Sequence, residues 1–65
     1  KYARRSLVSK VKIPKGTQIT ESMLDIKRPG TGIPPKSFSD VVGCIAINDI
    51  DEDTTLEWKH LQQKQ

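Results

Sequence analysis

The two halves of this 65-residue chain repeat one another when the sequence is shifted by 37 positions. The shift needs no gap, and it mostly places hydrophobic residues on hydrophobic residues. The aligned pairs are Val8 with Ile45, Ile13 with Ile50, Thr17 with Thr54, Ile19 with Leu56 and Leu24 with Leu61, and Glu21 falls near Glu57. We predict an internal duplication of strand, turn, strand and helical turn, packed about a pseudo-twofold axis so that each unit covers the other's apolar face. The alternative is that any two short β units share such a pattern.

A loop rich in proline and glycine lies between the halves, with the sequence Arg28-Pro29-Gly30-Thr31-Gly32-Ile33-Pro34-Pro35. Proline fixes φ and glycine permits positive φ, so we expect a shaped loop here, with Gly30 and Gly32 at positive φ. Arg28 stands at the start of this loop. A guanidinium held away from the domain body could pair with a carboxylate or a phosphate. The alternative is a solvated arginine beside an ordinary turn.

The length limits what the chain can contain. Sixty-five residues make one domain that buries only about 60% of its unfolded surface, so no large internal cavity is expected. We predict a core of aliphatic residues such as Val11, Ile13, Ile45 and Leu56. A complete enzyme active site inside this chain is not expected.

The only cysteine, Cys44, lies in the apolar run from Val41 to Ile47. We interpret it as a buried small hydrophobic residue and not as a reactive thiol. A single cysteine allows no intrachain disulfide, which favours a cytoplasmic protein. The apolar run is too short to cross a membrane.

Charge is distributed unevenly along the chain. Residues 1–36 hold nine Lys or Arg and two acids, a net +7, whereas residues 37–65 hold two Lys and six acids, a net −4. A basic half could meet nucleic acid, an anionic substrate or an acidic partner. Nucleic acid is the weakest of these, because the basic residues are neither clustered nor interleaved with aromatic residues. An uneven solvated surface remains the alternative.

Turn and capping residues suggest an order of elements. We assign residues 1–6 to a linker from a preceding domain, residues 7–61 to the domain itself, and residues 62–65 to a frayed end. In the first half we predict a strand within 7–13, a turn with Gly16 at positive φ, and a helical turn at 21–24 capped by the Thr20 hydroxyl. A helix at 37–42 follows, with Ser37 and Asp40 as a capping box and Gly43 as its stop. The remaining predictions are a β-prone run at 44–47, an acidic turn at 48–54, and a second capped short helix at 55–61.

No catalytic or metal-binding residues are predicted in this chain. His60 has no second ligand or triad partner at a recognisable spacing, so we assign it to the surface or to packing. Asp49, Asp51 and Asp53 imitate the start of a calcium loop. Thr54 stands where that loop requires glycine, and His60 stands where it requires glutamate. A solvated acidic turn is the better interpretation.

Several segments together resemble the C-terminal SAF domain of sialic acid synthases, also called antifreeze-like because it is similar to fish type III antifreeze proteins. These segments are Arg5-Ser6-Leu7-Val8, Ile13-Pro14-Lys15-Gly16-Thr17, Lys27-Arg28-Pro29-Gly30-Thr31-Gly32, Val42-Gly43, Ile50 and Thr54-Thr55-Leu56. The resemblance covers roughly residues 4–61. It implies a small β-rich fold with short helical turns, the pretzel-like β-clip with pseudo-twofold symmetry.

The resemblance also implies a function for the parent protein. Such synthases carry an N-terminal TIM barrel that binds a divalent metal, Mn or Mg, and condenses phosphoenolpyruvate with N-acetylmannosamine or a related amino sugar. In bacterial members the SAF domain caps the active site of the partner subunit in a homodimer, and the arginine of the Arg-Pro-Gly-x-Gly loop approaches the sugar. By position that substrate-binding residue is Arg28, while this domain holds no cofactor and no catalytic residue. Which amino sugar is used stays open.

Two rival functions remain. An ice-binding protein of the type III fold would use the stretch from Val11 to Met23, where Thr17, Thr20 and Met23 match the fish proteins. Lys12, Lys15 and Glu21 put charges into or near that surface. A protein-docking SAF module of an assembly chaperone is the other rival.

Overall fold

The computed structural model describes residues 4–63, which form four short strands and several single helical turns. The strands are β1 (Ser6–Ser9), β2 (Leu24–Lys27), β3 (Ile45–Ala46) and β4 (Leu61–Gln62). One α-helical turn, α1, covers Phe38–Val41, and 3₁₀ turns cover Glu21–Met23, Pro35–Ser37 and Trp58–His60. This architecture confirms the predicted small β-rich fold with short helical turns.

The strand pairing confirms the internal duplication. In the first antiparallel pair, β1 with β2, Val8 faces Asp25 and Ser9 faces Leu24. Adding 37 to these four numbers gives the register of β3 with β4, in which Ile45 faces Gln62 and Ala46 faces Leu61. The 3₁₀ turns at 21–23 and 58–60 are related by the same shift.

The pseudo-twofold axis passes between Ile13 and Ile50. The Ile13 N–H donates to the Ile50 carbonyl and the Ile50 N–H donates to the Ile13 carbonyl, both at 2.8 Å. Two residues related by the repeat that bond each other reciprocally must lie beside the axis of that repeat. The bridges Val8 to Thr55 and Gln18 to Ile45 also exchange under the shift. Each half therefore completes the hydrogen bonding of the other.

The turn that follows Ile13 and the turn that follows Ile50 are also equivalent. Gly16 has φ +86° and Asp53, 37 positions later, has φ +66°. The prediction for Gly16 is confirmed. Asp53 keeps the same left-handed conformation without glycine, which aspartate tolerates better than most residues.

The core lies between the two halves and is almost entirely aliphatic. Its buried members are Leu7, Ile13, Ile19, Leu24, Ile33, Val41, Cys44, Ala46, Ile50, Leu56 and Leu61. Cys44 is buried, as the sequence predicts.

The prediction that Val11 and Ile45 belong to the core was wrong. Val11 is 44% exposed, because the chain bends at Lys10 and Val11 after β1 and regular alternation stops there. Ile45 is only half-buried, since side chains alternate along β3 and its neighbours Cys44 and Ala46 face inward instead.

Neither predicted hydroxyl cap forms. No side-chain cap bond is present at Thr20 or Ser37, and the Thr20 hydroxyl lies 3.1 Å from that of Ser22. Backbone bonds close these tight turns instead, as in the bond from the Met23 N–H to the Thr20 carbonyl. The helix expected at 37–42 divides into the 3₁₀ turn Pro35–Ser37 and α1, and Gly43, at φ +96°, follows it.

At the ends of the domain, pairing extends further than predicted. Ser6, assigned to the linker, begins β1 and is fully buried, and Gln62, assigned to the frayed end, belongs to β4. Residues 1–3 and 64–65 of those two predictions lie outside the described residues. β2, which directly precedes Arg28, was not predicted from the sequence.

Candidate functional site

Arg28 follows β2 directly and extends from the domain as an exposed side chain. Within residues 4–63 its guanidinium makes no hydrogen bond and no ion pair. The preceding Lys27 differs, because its ammonium lies 2.7 Å from the Asp53 carboxylate, and that hydrogen bond and charge raise the pKa of Lys27. Of these two adjacent cations, only Arg28 is free to bind an external group.

The buried Ser6 hydroxyl holds the turn that follows Arg28. It donates to the Pro29 carbonyl at 2.6 Å and accepts from the Gly32 N–H at 2.9 Å. Ser6 also faces Lys27 across the β1 and β2 pair. One side chain therefore ties both sides of the turn to the sheet, and the Arg28–Pro29 peptide bond within it is cis.

Gly30 and Gly32 are required by close packing and not by backbone conformation. Neither has positive φ, so that part of the sequence prediction was wrong. A Cβ at Gly30 would overlap the Cβ of Arg4, and a Cβ at Gly32 would overlap the Leu56 carbonyl oxygen and the Thr55 methyl group. The loop therefore lies flat against the body of the domain at two points.

Beyond Gly32 the loop enters the core. Ile33 is buried; its N–H donates to the Leu56 carbonyl at 2.9 Å, and its carbonyl accepts from the Leu7 N–H at 2.8 Å. The loop is thus fixed by a side chain, by close contacts and by backbone hydrogen bonds. Such fixation reduces the ordering cost that binding through Arg28 would otherwise carry.

A shallow concavity of about 340 Å³ opens where this loop crosses the second half of the chain. Thr31, Gly32, Ile33 and Pro34 line one side, and Glu57, Trp58 and Lys59 line the other. Trp58 is 43% exposed. Trp58 was not among the site residues predicted from the sequence. The available signal was the repeat itself, because Trp58 aligns with the polar Glu21.

The remaining candidate residues have structural roles. The His60 Nδ1 accepts from the Glu57 N–H at 3.0 Å and so caps the 3₁₀ turn between them. Cys44 lies 3.2 Å from the Asp40 carbonyl, to which its thiol donates. Among residues 4–63 no three His, Cys, Asp or Glu side chains are grouped to hold a metal ion.

Part of the charge asymmetry is matched inside the fold by the ion pair between Lys27 and Asp53. The acidic turn also contacts the basic half through Asp49, which accepts from the backbone N–H of Lys15 at 2.8 Å. Both contacts are exposed, so each stabilises the fold only modestly. Over the described part of the chain, no helix has the length and hydrophobicity needed to span a membrane.

Comparisons with known proteins identify the family of this chain. The family model described as the SAF domain matches residues 4–62. The chain is 39% identical over 59 residues to the N,N'-diacetyllegionaminic acid synthase of Legionella pneumophila, covering 91% of this chain and 17% of that protein. It is also 39% identical over 59 residues to an uncharacterized protein of Methanocaldococcus jannaschii, covering 91% of this chain and 18% of that protein. The chain therefore spans less than a fifth of the length of these relatives.

A solved structure shares the fold. It is the solution structure of an antifreeze-protein-like domain in the human N-acetylneuraminic acid phosphate synthase gene, with a TM-score of 0.85 and 36% identity. The match covers 89% of this chain and 75% of that chain.

Proposed function

This chain belongs to the SAF domain family, and we propose from that premise that it is the substrate-binding lid of a nonulosonic acid synthase. Relatives named as a legionaminic acid synthase and an N-acetylneuraminic acid phosphate synthase support this class of parent enzyme. In the proposal the parent condenses phosphoenolpyruvate with N-acetylmannosamine or a similar amino sugar in the cytoplasm.

The observation that carries the proposal is the free guanidinium of Arg28 on a loop fixed by Ser6 and the two glycines. A guanidinium offers several N–H donors in one plane, which suits carbonyl, hydroxyl or carboxylate oxygens of an amino sugar. When the domain covers an active site and excludes water, each such contact becomes stronger. Arg28 in this role binds and orients the sugar and takes no part in bond making.

The rest of the parent chain would supply the chemistry. We assign the divalent metal, Mn or Mg, to a barrel domain, as the family resemblance implies. The barrel covered by this domain belongs, in the proposal, to the partner subunit of a homodimer.

Arg28→Ala in the full-length enzyme tests the function. Loss of a charge-assisted hydrogen bond typically costs about 1.5–3 kcal/mol, so kcat/KM for the amino sugar should fall roughly ten- to a hundred-fold. Arg28→Lys should restore only part of the loss, because an ammonium lacks the planar fork. Lys27→Ala is the matched control. Lys27 is adjacent to Arg28 and carries the same charge, but its ammonium is already paired with Asp53. Wild-type kinetics for Arg28→Ala would refute the assignment.

Subunit mixing tests whether Arg28 serves the partner's site. Arg28→Ala subunits, whose activity is reduced, are mixed with subunits disabled in the barrel, and exchange is verified separately. Some regenerated sites should then combine an intact barrel with an intact Arg28 from the other chain. Proven exchange without regained activity would restrict Arg28 to the site of its own subunit.

A measurement of thermal hysteresis distinguishes the proposed function from the rival, an ice-binding protein. Lys12, Lys15 and Glu21 are all exposed in the structure, and charged groups favour liquid water over an ordered ice plane. We expect the isolated chain to produce negligible thermal hysteresis. Hysteresis equal to that of a fish type III antifreeze protein at the same concentration would favour the rival.

A further inference from the structure

Trp58 forms a ridge between two hollows on the surface of the domain. One is the concavity of about 340 Å³ beside Thr31 and Pro34, and the other, of about 320 Å³, is lined by Asp40, Cys44, Gln63 and the same tryptophan. Trp58 is the only tryptophan of the chain, and nearly half of it is exposed. Single exposed hydrophobic residues are common on proteins, so the ridge needs an independent reason to be considered a contact.

The internal repeat supplies that reason. Glu21 occupies the equivalent position in the first half, where it is exposed and starts a 3₁₀ turn of the same length as Trp58–His60. The turn therefore does not require a tryptophan for its own stability. Trp58 also faces the loop that lies between the repeats and belongs to neither. The surface thus departs from the symmetric pattern beside the candidate site.

We propose that Trp58 and its two flanking hollows are the surface on which this domain docks to the catalytic domain of its own parent enzyme, before substrate binds. This inference rests on the proposed function and adds the contact surface to it. The matched segment makes up only 17% and 18% of two relatives, so each has a much larger polypeptide available for contact. A polypeptide surface can fill hollows on both sides of a ring, whereas a single sugar fills one. Tryptophan in such a position commonly dominates the binding energy of an interface.

The surroundings of Trp58 fit an interface of this kind. The neighbouring Glu57 and Lys59 are both exposed, with their charged groups 3.8 Å apart, and they provide a polar rim. Arg28 and Thr31 are three positions apart in the chain, so their Cα atoms are at most about 10 Å apart. Docking through Trp58 therefore brings the Arg28 loop to the edge of the same contact.

Hydroxyl-radical footprinting of the full-length enzyme tests the docking directly. In the free domain Trp58 is 43% exposed and should oxidise readily, which sets the reference rate. If Trp58 is docked, its oxidation rate should fall well below that reference, because a desolvated anchor is shielded from the solvent. Val11, which is 44% exposed and lines neither hollow, is the internal control.

Each result decides the proposal. Protection of Trp58 without substrate supports docking, and oxidation at the rate of the free domain overturns it. Protection that occurs only when N-acetylmannosamine is added also overturns it, because the proposed docking precedes substrate binding.

Trp58→Ala kinetics provide a second readout, with Glu21→Ala as the control at the symmetric position. Loss of docking should lower kcat/KM about tenfold or more for both substrates together, and Trp58→Phe should recover part of the loss. An unchanged kcat/KM in Trp58→Ala overturns the inference. Because Arg28→Ala is expected to leave Trp58 protected, failure of the sugar contact and failure of the docking surface are distinguishable.

Discussion

Gly32→Ala should destabilise the domain by about 3 kcal/mol, at the upper end of typical overpacking costs. The new methyl group would overlap the Leu56 carbonyl oxygen and the Thr55 methyl group. Leu56 cannot move aside, because it is fully buried and its backbone bonds both Leu7 and Ile33 at 2.9 Å. A domain of this size rarely has more than about 3–5 kcal/mol of stability, so a large fraction should be unfolded.

Urea unfolding followed by circular dichroism measures this cost, and Gly16→Ala is the control. Gly16 has open space around it but lies at φ +86°, so alanine there should cost only about 1–2 kcal/mol of backbone strain. If Gly32→Ala cost no more than Gly16→Ala, the close approach of the loop to Leu56 would be contradicted.

Ile13→Ala should cost about 2–5 kcal/mol, the range for truncating a buried isoleucine, and should leave the isolated domain largely unfolded. Ile13 is fully buried and lies beside the pseudo-twofold axis, where it bonds Ile50. The same unfolding measurement gives the cost. Val11→Ala is the matched control, because Val11 is two residues away but exposed, and its cost should stay within about 0.5 kcal/mol. Equal costs at the two positions would contradict this placement of the core.

The pseudo-twofold fold was predictable because its cause lies in the spacing of residues. Each half alone leaves an apolar face uncovered, and packing the two halves about a twofold axis covers both faces. The aligned Ile13 and Ile50 meet beside that axis. Gly16 was predictable for a similar reason, since a tight turn after a strand requires positive φ locally.

Features that depend on distant contacts could not be predicted in this way. Val11 looked buried because local alternation extends through Ile13, but the bend after β1 turns it outward. Ser6 looked like linker sequence, and its role exists only because the loop returns to it 23 residues later. Gly32 was recognised as necessary for the wrong reason, because the approach of Leu56 is a tertiary contact.

The candidate site shows the same limit. Arg28 was identified through the family resemblance, whereas its freedom from partners among residues 4–63 and the anchoring of its loop come from the structure. Trp58 departs from the repeat by aligning with the polar Glu21, but that departure alone does not show what lies beside it in the fold. Its position beside the loop is set by packing between the two halves.

A crystal structure of the full-length enzyme with the amino sugar bound tests the central claim most directly. We predict that a guanidinium nitrogen of Arg28 lies about 2.7–3.2 Å from an oxygen of the sugar, with the loop in the conformation held by Ser6. An Arg28 side chain directed into solvent, with the sugar bound entirely by other residues, would contradict the account.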